Sequence, residues 1–440
     1  MLLCFGLPGT VVCGMNDLMG KQFSTQITLG YMPFLDCAPL VAAVEKGFAG
    51  DEGIVLRLVR ETSWGQIGNR LAVGHFDGAH LPAPFALASS LALFPLSPSL
   101  IVPMTLSLGG GAVTVSPALA DAMRAVGLPL RLADPLNAGQ ALKQVAQQRC
   151  SRGLSPLKFA VGHNYSSQAY HLRYWLAASG LHARFENSKP GEVSPCDIDI
   201  VALPSPLMAD GLATGAIDGF CAAEPWSSVA VDRGVGCMIA AAAAIWRGGP
   251  DKVLAMTRSW EERQQGELDA LIRALYRAAQ WCSHPGNTEE LAGILAAPRY
   301  LGVDGSLLLP ALTGDLITAP GQVEPFADFL LLDRKAANFP WVSQALWFYS
   351  QMMLCRQLSP SDESRRIVLD IYRPDLFRRA LKPVFAPIPS ASTKLEGALA
   401  AAQYVGATTG KLLLGPDMFF DGRVFDPECL DDYLAPAVIP

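Results

Sequence analysis

The sequence predicts an α/β protein built from at least two compact units, on three observations. At 440 residues the chain is longer than one hydrophobic core accommodates. Half of its residues are hydrophobic and only 17% are charged, the composition of an ordered, well-packed protein and not of a disordered one. Two separate stretches alternate strand-like with helix-like patterns, the signature of parallel sheets with helices on their faces.

The first alternation opens the chain's ordered part. ITLGYMPF (27–34) has strand character, and APLVAAVEKGF (38–48) follows with apolar residues at helical spacing until Gly47 closes it. Asp36, just ahead, is expected to cap this helix, which would aim its terminal N–H groups at a cleft. IVLRLVRE (54–61) alternates apolar and polar residues as a half-buried strand does, completing a β-α-β unit. The next helix begins near Ser63 and holds Ile67 and Leu71, and Asp77-Gly78 turns the chain into a further short element.

The second alternation spans 157–225, where KFAVG, SSQAYHLRYWLAASG and DIDIVALP repeat the order strand, helix, strand. Tyr170, Tyr174 and Trp175 within that helix read as core. Beyond about 260 the pattern turns helical, with Leu268, Leu271, Ile272, Leu275 and Ala279 forming one buried face. APIPSAST (386–393) reads as an exposed connector and FFDGRVFDP (419–427) as a short carboxy-terminal addendum.

Charge and motifs exclude several function classes. A net charge of −6 offers no general basic field, so direct nucleic-acid binding is not expected. Ten scattered cysteines, without C-x-x-C or Cys/His spacing suited to zinc, predict no metal site and favour reduced core thiols over bridges. No nucleophile elbow, H-E-x-x-H, P-loop or dinucleotide fingerprint is present, and GGGAV (109–113) lacks the Lys and Ser of a phosphate loop; neither an enzyme nor a cofactor is expected. The long uncharged stretch from His80 to Ala120 is broken by six prolines and by glycines 109 to 111, leaving no run of about 20 apolar residues to span a bilayer. The opening MLLCFGLPGTVVCG has no Lys or Arg before its apolar run, which favours a cytoplasmic over an exported, periplasmic protein.

Several runs together carry a resemblance. GYMPFLDCAPLVAAVEKGF (30–48), ETSWGQIGNRLAVGHFDGAHLPAP (61–84), LRYWLAASG (172–180), GAIDGFCAAEPW (215–226), GGPDKVLAM (248–256) and FFDGRVFDP (419–427) resemble, in this order, the nitrate-binding family. That family includes cyanobacterial nitrate and bicarbonate solute-binding proteins of transporters and cytoplasmic nitrate/nitrite sensors of proteobacteria. The resemblance covers about residues 27 to 427. It implies a two-lobe periplasmic-binding-protein-like fold of type II, with the ligand in the cleft between the lobes. By analogy, residues 1–23 are a tail, 24–107 with 225–440 form the first lobe, and 108–224 form the second.

A planar monoanion has three acceptor oxygens and no donor, so a dry site must surround it with donors and about one positive charge. Lys252 matches the family position where nitrate-binding members have a lysine and the bicarbonate-binding relative an acidic residue; the alternative is a solvated surface lysine. Trp64 matches the family tryptophan that borders the ligand, offering a donor-only indole beside an apolar wall, or else it is a core residue anchoring the following helix. Gly110 and Gly111 lie where the chain crosses between lobes, either as close-approach amides or as a hinge. Gly111 stands where the family has a glutamine. Gln168 stands where it has a histidine, an uncharged donor in place of an imidazole, with His163 and His171 displaced to either side. Glu224, in Glu224-Pro225-Trp226, is expected to fix the lobe crossing by hydrogen bonds.

Two functions follow from the resemblance. In the first, the protein is a cytoplasmic sensor of nitrate or nitrite whose lobe closure changes its hold on a partner, an RNA-binding antitermination regulator. In the second, it is a periplasmic receptor that delivers nitrate or bicarbonate to an ABC transporter.

Overall fold

The computed structural model describes residues 25–185 and 198–435, so the calls on the 1–23 tail and on Cys4, Cys13 and Cys196 lie outside the described residues. Two separate β-sheets organise the chain. The first contains β1 (Thr25–Tyr31), β2 (Ile54–Arg60), β3 (Gly78–Pro82) and β4 (Leu100–Thr105), together with a strand that returns much later, Lys252–Thr257. The second contains β5 (Gly111–Val115), β6 (Lys158–Val161), β7 (Ala183–Phe185), β8 (Ile198–Ala202), β9 (Gly219–Ala223) and β10 (Cys237–Ala241). With the returning strand as β11, the orders are β2-β1-β3-β11-β4 and β10-β5-β9-β6-β8-β7.

Both alternations seen in the sequence become β-α-β units. β1 pairs parallel with β2 across helix α1 (Ala38–Glu45), and β6 pairs parallel with β8. β3, β4, β5 and β9 are buried at every position, as strands covered on both faces must be. β11 enters the first sheet antiparallel to both β3 and β4, and β5 is antiparallel to β9 and β10. The second sheet therefore reaches to Ala241, past the boundary at 224 drawn from the sequence.

The lobes are joined by two segments lying side by side. The outward crossing after β4 meets the return crossing before β11: Gly109 N–H donates to Gly249 O at 3.0 Å, Asp251 N–H to Ser107 O at 3.0 Å, and Leu106 N–H to Lys252 O at 2.8 Å. Gly109 and Gly110 both have positive φ, +69° and +77°. A Cβ on Gly109 would fall 2.4 Å from the Phe329 carbonyl oxygen, so glycine is needed there for conformation and for close approach.

The carboxy-terminal helices complete the first lobe. Residues 265–282 form a helix against α1, and Leu268, Leu271, Ile272, Leu275 and Ala279 are all fully buried, as their spacing predicts. One reading holds in part and one is corrected. In APIPSAST, Pro387, Ser390, Ala391 and Thr393 are exposed as expected, but Ala386 and Ile388 are buried, because this stretch lies against the 403–414 hairpin and accepts hydrogen bonds from Arg378. FFDGRVFDP is no addendum: Phe419 stacks on Trp246 at 4.9 Å and Phe425 is fully buried, so the segment is part of the core. No disulfide joins any described cysteine, and no described helix is long and apolar enough to cross a membrane.

Candidate functional site

The ends of β1, β3 and β11 converge where the first lobe faces the second, and each delivers one polar group. After β1 the chain passes through Phe34 into a single 3-10 turn, Leu35–Cys37, which carries Asp36. Leu35 N–H donates to Glu224 O at 2.8 Å, tying this turn to the second lobe. β3 carries His80, which lies beside Leu254 of β11, and β11 begins with Lys252.

Lys252 is no surface lysine. Its side chain is 1% exposed, and Nζ lies 3.0 Å from Asp36 Oδ2 and 2.8 Å from Asp251 Oδ1. The first is a hydrogen bond; the second is an ion-pair contact off the line of one. Aromatic faces supply the remaining wall, with Nζ 5.0 Å from the Phe34 ring centre and 5.8 Å from that of Trp64. Phe34 and Trp64 stack at 5.6 Å. The Trp64 helix, residues 64–72, starts where the sequence places it, because Ser63 Oγ accepts the Gln66 N–H at 3.2 Å.

Two carboxylates share this one ammonium. Asp36 Oδ1 also pairs with His80 Nε2 at 2.8 Å. Asp36 is therefore not a helix cap: α1 has no side-chain cap, and the carboxylate turns to the buried cation and imidazole instead. Burial alone would raise its pKa, but Lys252 and His80 outweigh that and hold it down at about 2. Asp251 moves the other way, to about 6, because burial and the Asp36 charge exceed what Lys252 returns. Burial opposes the charge on Lys252, yet the two carboxylates carry its pKa above the ordinary value. Burial lowers that of His80 despite Asp36.

The second lobe reaches this cluster through the helix Ser167–Ala178. Gln168 Nε2 donates to Asp251 Oδ2 at 2.6 Å, and Ser167 Oγ donates to Asp251 O at 2.9 Å. One turn on, His171 is buried among Trp246, Trp347 and Phe348 with neither ring nitrogen hydrogen-bonded. Burial and the Lys252 charge depress its pKa to about 3, so it is a neutral imidazole in the field of the ammonium. Gly162, at the end of β6, faces Trp64 across the cleft: a Cβ there would stand 3.9 Å from the indole nitrogen.

Of the residues singled out from sequence, Lys252, Trp64 and Gln168 come together in one cluster. The crossing glycines do not join it as free donors. Gly110 N–H is held by Phe329 O at 2.6 Å and its carbonyl accepts the Glu224 N–H, while Gly111 pairs with Ala223 in the second sheet. Glu224 is buried at the same junction, with Oε2 accepting the Ser228 N–H, and burial raises its pKa to about 7. His163 packs against Phe85 and Phe94 and accepts the Tyr165 N–H, away from the cation. His80 and Asp251 were missed, and only the adjacency of Asp251 to Lys252 in GGPDKVLAM could have pointed to one of them; Asp36 was read as a helix cap and His171 as a histidine displaced from the family position. Among the described residues no group of three His, Cys, Asp or Glu side chains is placed to hold a metal.

Comparison with known proteins sets this site in context. The nitrate import ATP-binding protein NrtC of Synechocystis sp. is 32% identical over 360 residues, covering 81% of this chain and 50% of that protein, so the chain spans half of that relative's length. The nitrate/nitrite binding protein NrtA of Synechococcus elongatus is 29% identical over 419 residues, covering 93% of this chain and 85% of that protein. The crystal structure of the periplasmic nitrate-binding protein NrtA from Synechocystis PCC 6803 superimposes with a TM-score of 0.78 at 24% identity, covering 94% of this chain and 98% of that one. The two-lobe periplasmic-binding-protein fold and the resemblance read from the sequence are thus both borne out. Residues 20–296 match the NMT1-like family, and with more than half of its length accounted for in this way, the chain belongs to that family.

Proposed function

We propose that this protein captures a small planar oxyanion, nitrate or nitrite, between its lobes and serves as the substrate receptor of an anion transporter. The observation that carries this reading is the buried Lys252 ammonium at the lobe junction, walled by Phe34 and Trp64 and reached from the other lobe by Gln168. A desolvated cation beside an indole donor and an amide donor is suited to a monoanion with acceptors only. The likeness to NrtA supports the same ligand class. The relatives named above are transporter components, which favours the receptor over the cytoplasmic sensor acting on an RNA-binding antitermination regulator. A receptor role places the protein outside the cytoplasmic membrane, which fractionation of a tagged full-length chain tests.

The ligand is tested by thermal shift with nitrate, nitrite, bicarbonate and small sulfonates. A ligand at a hundred times its Kd adds about 2.7 kcal/mol to stability. Nitrate or nitrite is expected to raise the melting temperature, and Lys252→Glu to remove that rise. A protein indifferent to both anions at 10 mM (a concentration on the order of ten times a weak, ~1 mM Kd) overturns the reading.

A further inference from the structure

The cluster holds one more acidic group than an anion site should. Asp251 is 1% exposed, its Oδ1 contacts the Lys252 ammonium at 2.8 Å, and its Oδ2 accepts the Gln168 amide at 2.6 Å. These contacts come from opposite lobes, one to each oxygen. A carboxylate and a nitrate are both planar, and each presents a pair of oxygens on one trigonal atom, nitrate having a third, so the same pair of groups would receive either. The Asp251 backbone is fixed on every side: its N–H donates to Ser107 O, and its carbonyl accepts the Ala83 N–H and the Ser167 hydroxyl. Only the carboxylate is left to turn away.

We infer that the Asp251 carboxylate is a resident stand-in for the guest anion, occupying the ammonium and amide on which that guest depends, so that an oxyanion enters only when Asp251 takes up a proton and turns away. This inference rests on the oxyanion reading above and adds a regulation of the same site. Two carboxylates facing one ammonium already make the cluster net negative, and a third anion beside them is repelled unless one charge is removed. Asp36 keeps its charge, held by both Lys252 and His80. Asp251 has no imidazole partner to match the one His80 gives Asp36 and is the group that yields, its pKa standing at about 6. Of the other groups facing the pair, Cys221 in β9 is a neutral thiol with a raised pKa, burial lowers the pKa of His80, and His171 stays neutral. Glu224, at about 7, is another buried carboxyl at the lobe junction, and its Oε2 accepts the Ser228 amide N–H and does not contact Lys252. Capture is therefore coupled to uptake of one proton from solvent.

The test uses calorimetric titration of the full chain with sodium nitrate from pH 5.5 to 8.0, beside Asp251→Asn and Asp251→Ala. In the unaltered protein, affinity is expected to fall about tenfold per pH unit above about pH 6, one proton being taken up per anion. Asp251→Asn keeps the shape without the charge, and should bind nitrate about thirtyfold more tightly at pH 7.5 with a flat pH profile, which also separates Asp251 from Glu224. Asp251→Ala vacates a carboxylate-sized space, so millimolar formate at pH 7.5 should raise its melting temperature well above any rise in the unaltered protein, while equal chloride does not. An Asn variant with unchanged affinity and pH slope, or an Ala variant no more responsive to formate than the parent, overturns the inference. If the Ala variant does not fold, the Asn variant and the slope of the parent protein decide. Formate rescue with no nitrate binding by any form upholds the stand-in and sinks the nitrate reading, whereas tight, pH-independent nitrate binding by the parent does the reverse.

Discussion

Replacing Lys252 by Met removes the ammonium and keeps much of the side-chain volume, leaving Asp36 and Asp251 facing each other in a buried site. Breaking a buried ion pair by deleting one partner costs about 3–5 kcal/mol, because the orphaned charge has neither water nor a counter-ion. That is the loss expected at pH 8, where both carboxyls are ionised in the parent protein. At pH 5 it should shrink to about half, since Asp251 can then remain protonated and His80 still partners Asp36. The linkage in the parent has the same direction. The folded pKa of Asp251, about 6, lies above its ordinary 3.8, so the native state holds a proton that the unfolded state has released. The stability from that proton is complete below the unfolded value and declines by about 3 kcal/mol as the pH rises through the folded one. Asp36 behaves oppositely: its pKa is depressed to about 2, so its contribution is present above the ordinary carboxyl value and disappears as the pH falls through the folded one. Urea unfolding followed by tryptophan fluorescence at pH 5 and pH 8 reads both quantities. A loss below about 1 kcal/mol, or the same loss at the two pH values, would refute the charge argument for this cluster.

Trp64→Phe retains a ring against Phe34 but no N–H. It should weaken nitrate binding by about tenfold or more, from the loss of a charge-assisted bond worth about 1.5–3 kcal/mol, and calorimetry showing unchanged affinity would remove the indole from the site. Gly109→Ala forces a Cβ to within 2.4 Å of the Phe329 carbonyl at a positive φ, so a stability loss of about 2 kcal/mol or more is expected in urea unfolding, and a neutral effect would show that the crossing is not tightly packed against the carboxy-terminal part.

Local pattern was enough for the elements. Residues 25–60, 158–185 and 198–202 follow their hydrophobic periods, and Ser63 starts its helix where its hydroxyl can cap it. The site was legible only in part, because its energetics are long-range. Lys252 and Asp36 are 216 residues apart, Gln168 and Asp251 83, and Asp36 and His80 44. At Asp36 the local rule, an acidic residue ahead of a helix, pointed to capping, and a buried cation from a distant strand outcompeted it. The same holds for Gly110, whose amide is taken by Phe329 from the carboxy-terminal part, and for Phe419 and Phe425, whose neighbours could not be read from a short polar-looking tail. Where a residue's partners lie within a turn or two the sequence names them, and where they arrive from another lobe it does not.

The insertion of β11 between β3 and β4 also dictates an order of events during synthesis. β4 is bonded in its sheet only through β11, so until residues 252–257 leave the ribosome the earlier part of that sheet is unfinished and one of its apolar strands is stranded. The described strands of the other sheet end at residue 241, so that sheet clears the ribosome, at about 5–20 residues per second, shortly before the keystone strand emerges. The half encoded second is thus ready first, and the nascent chain acquires its lysine and its last central strand in a single stroke.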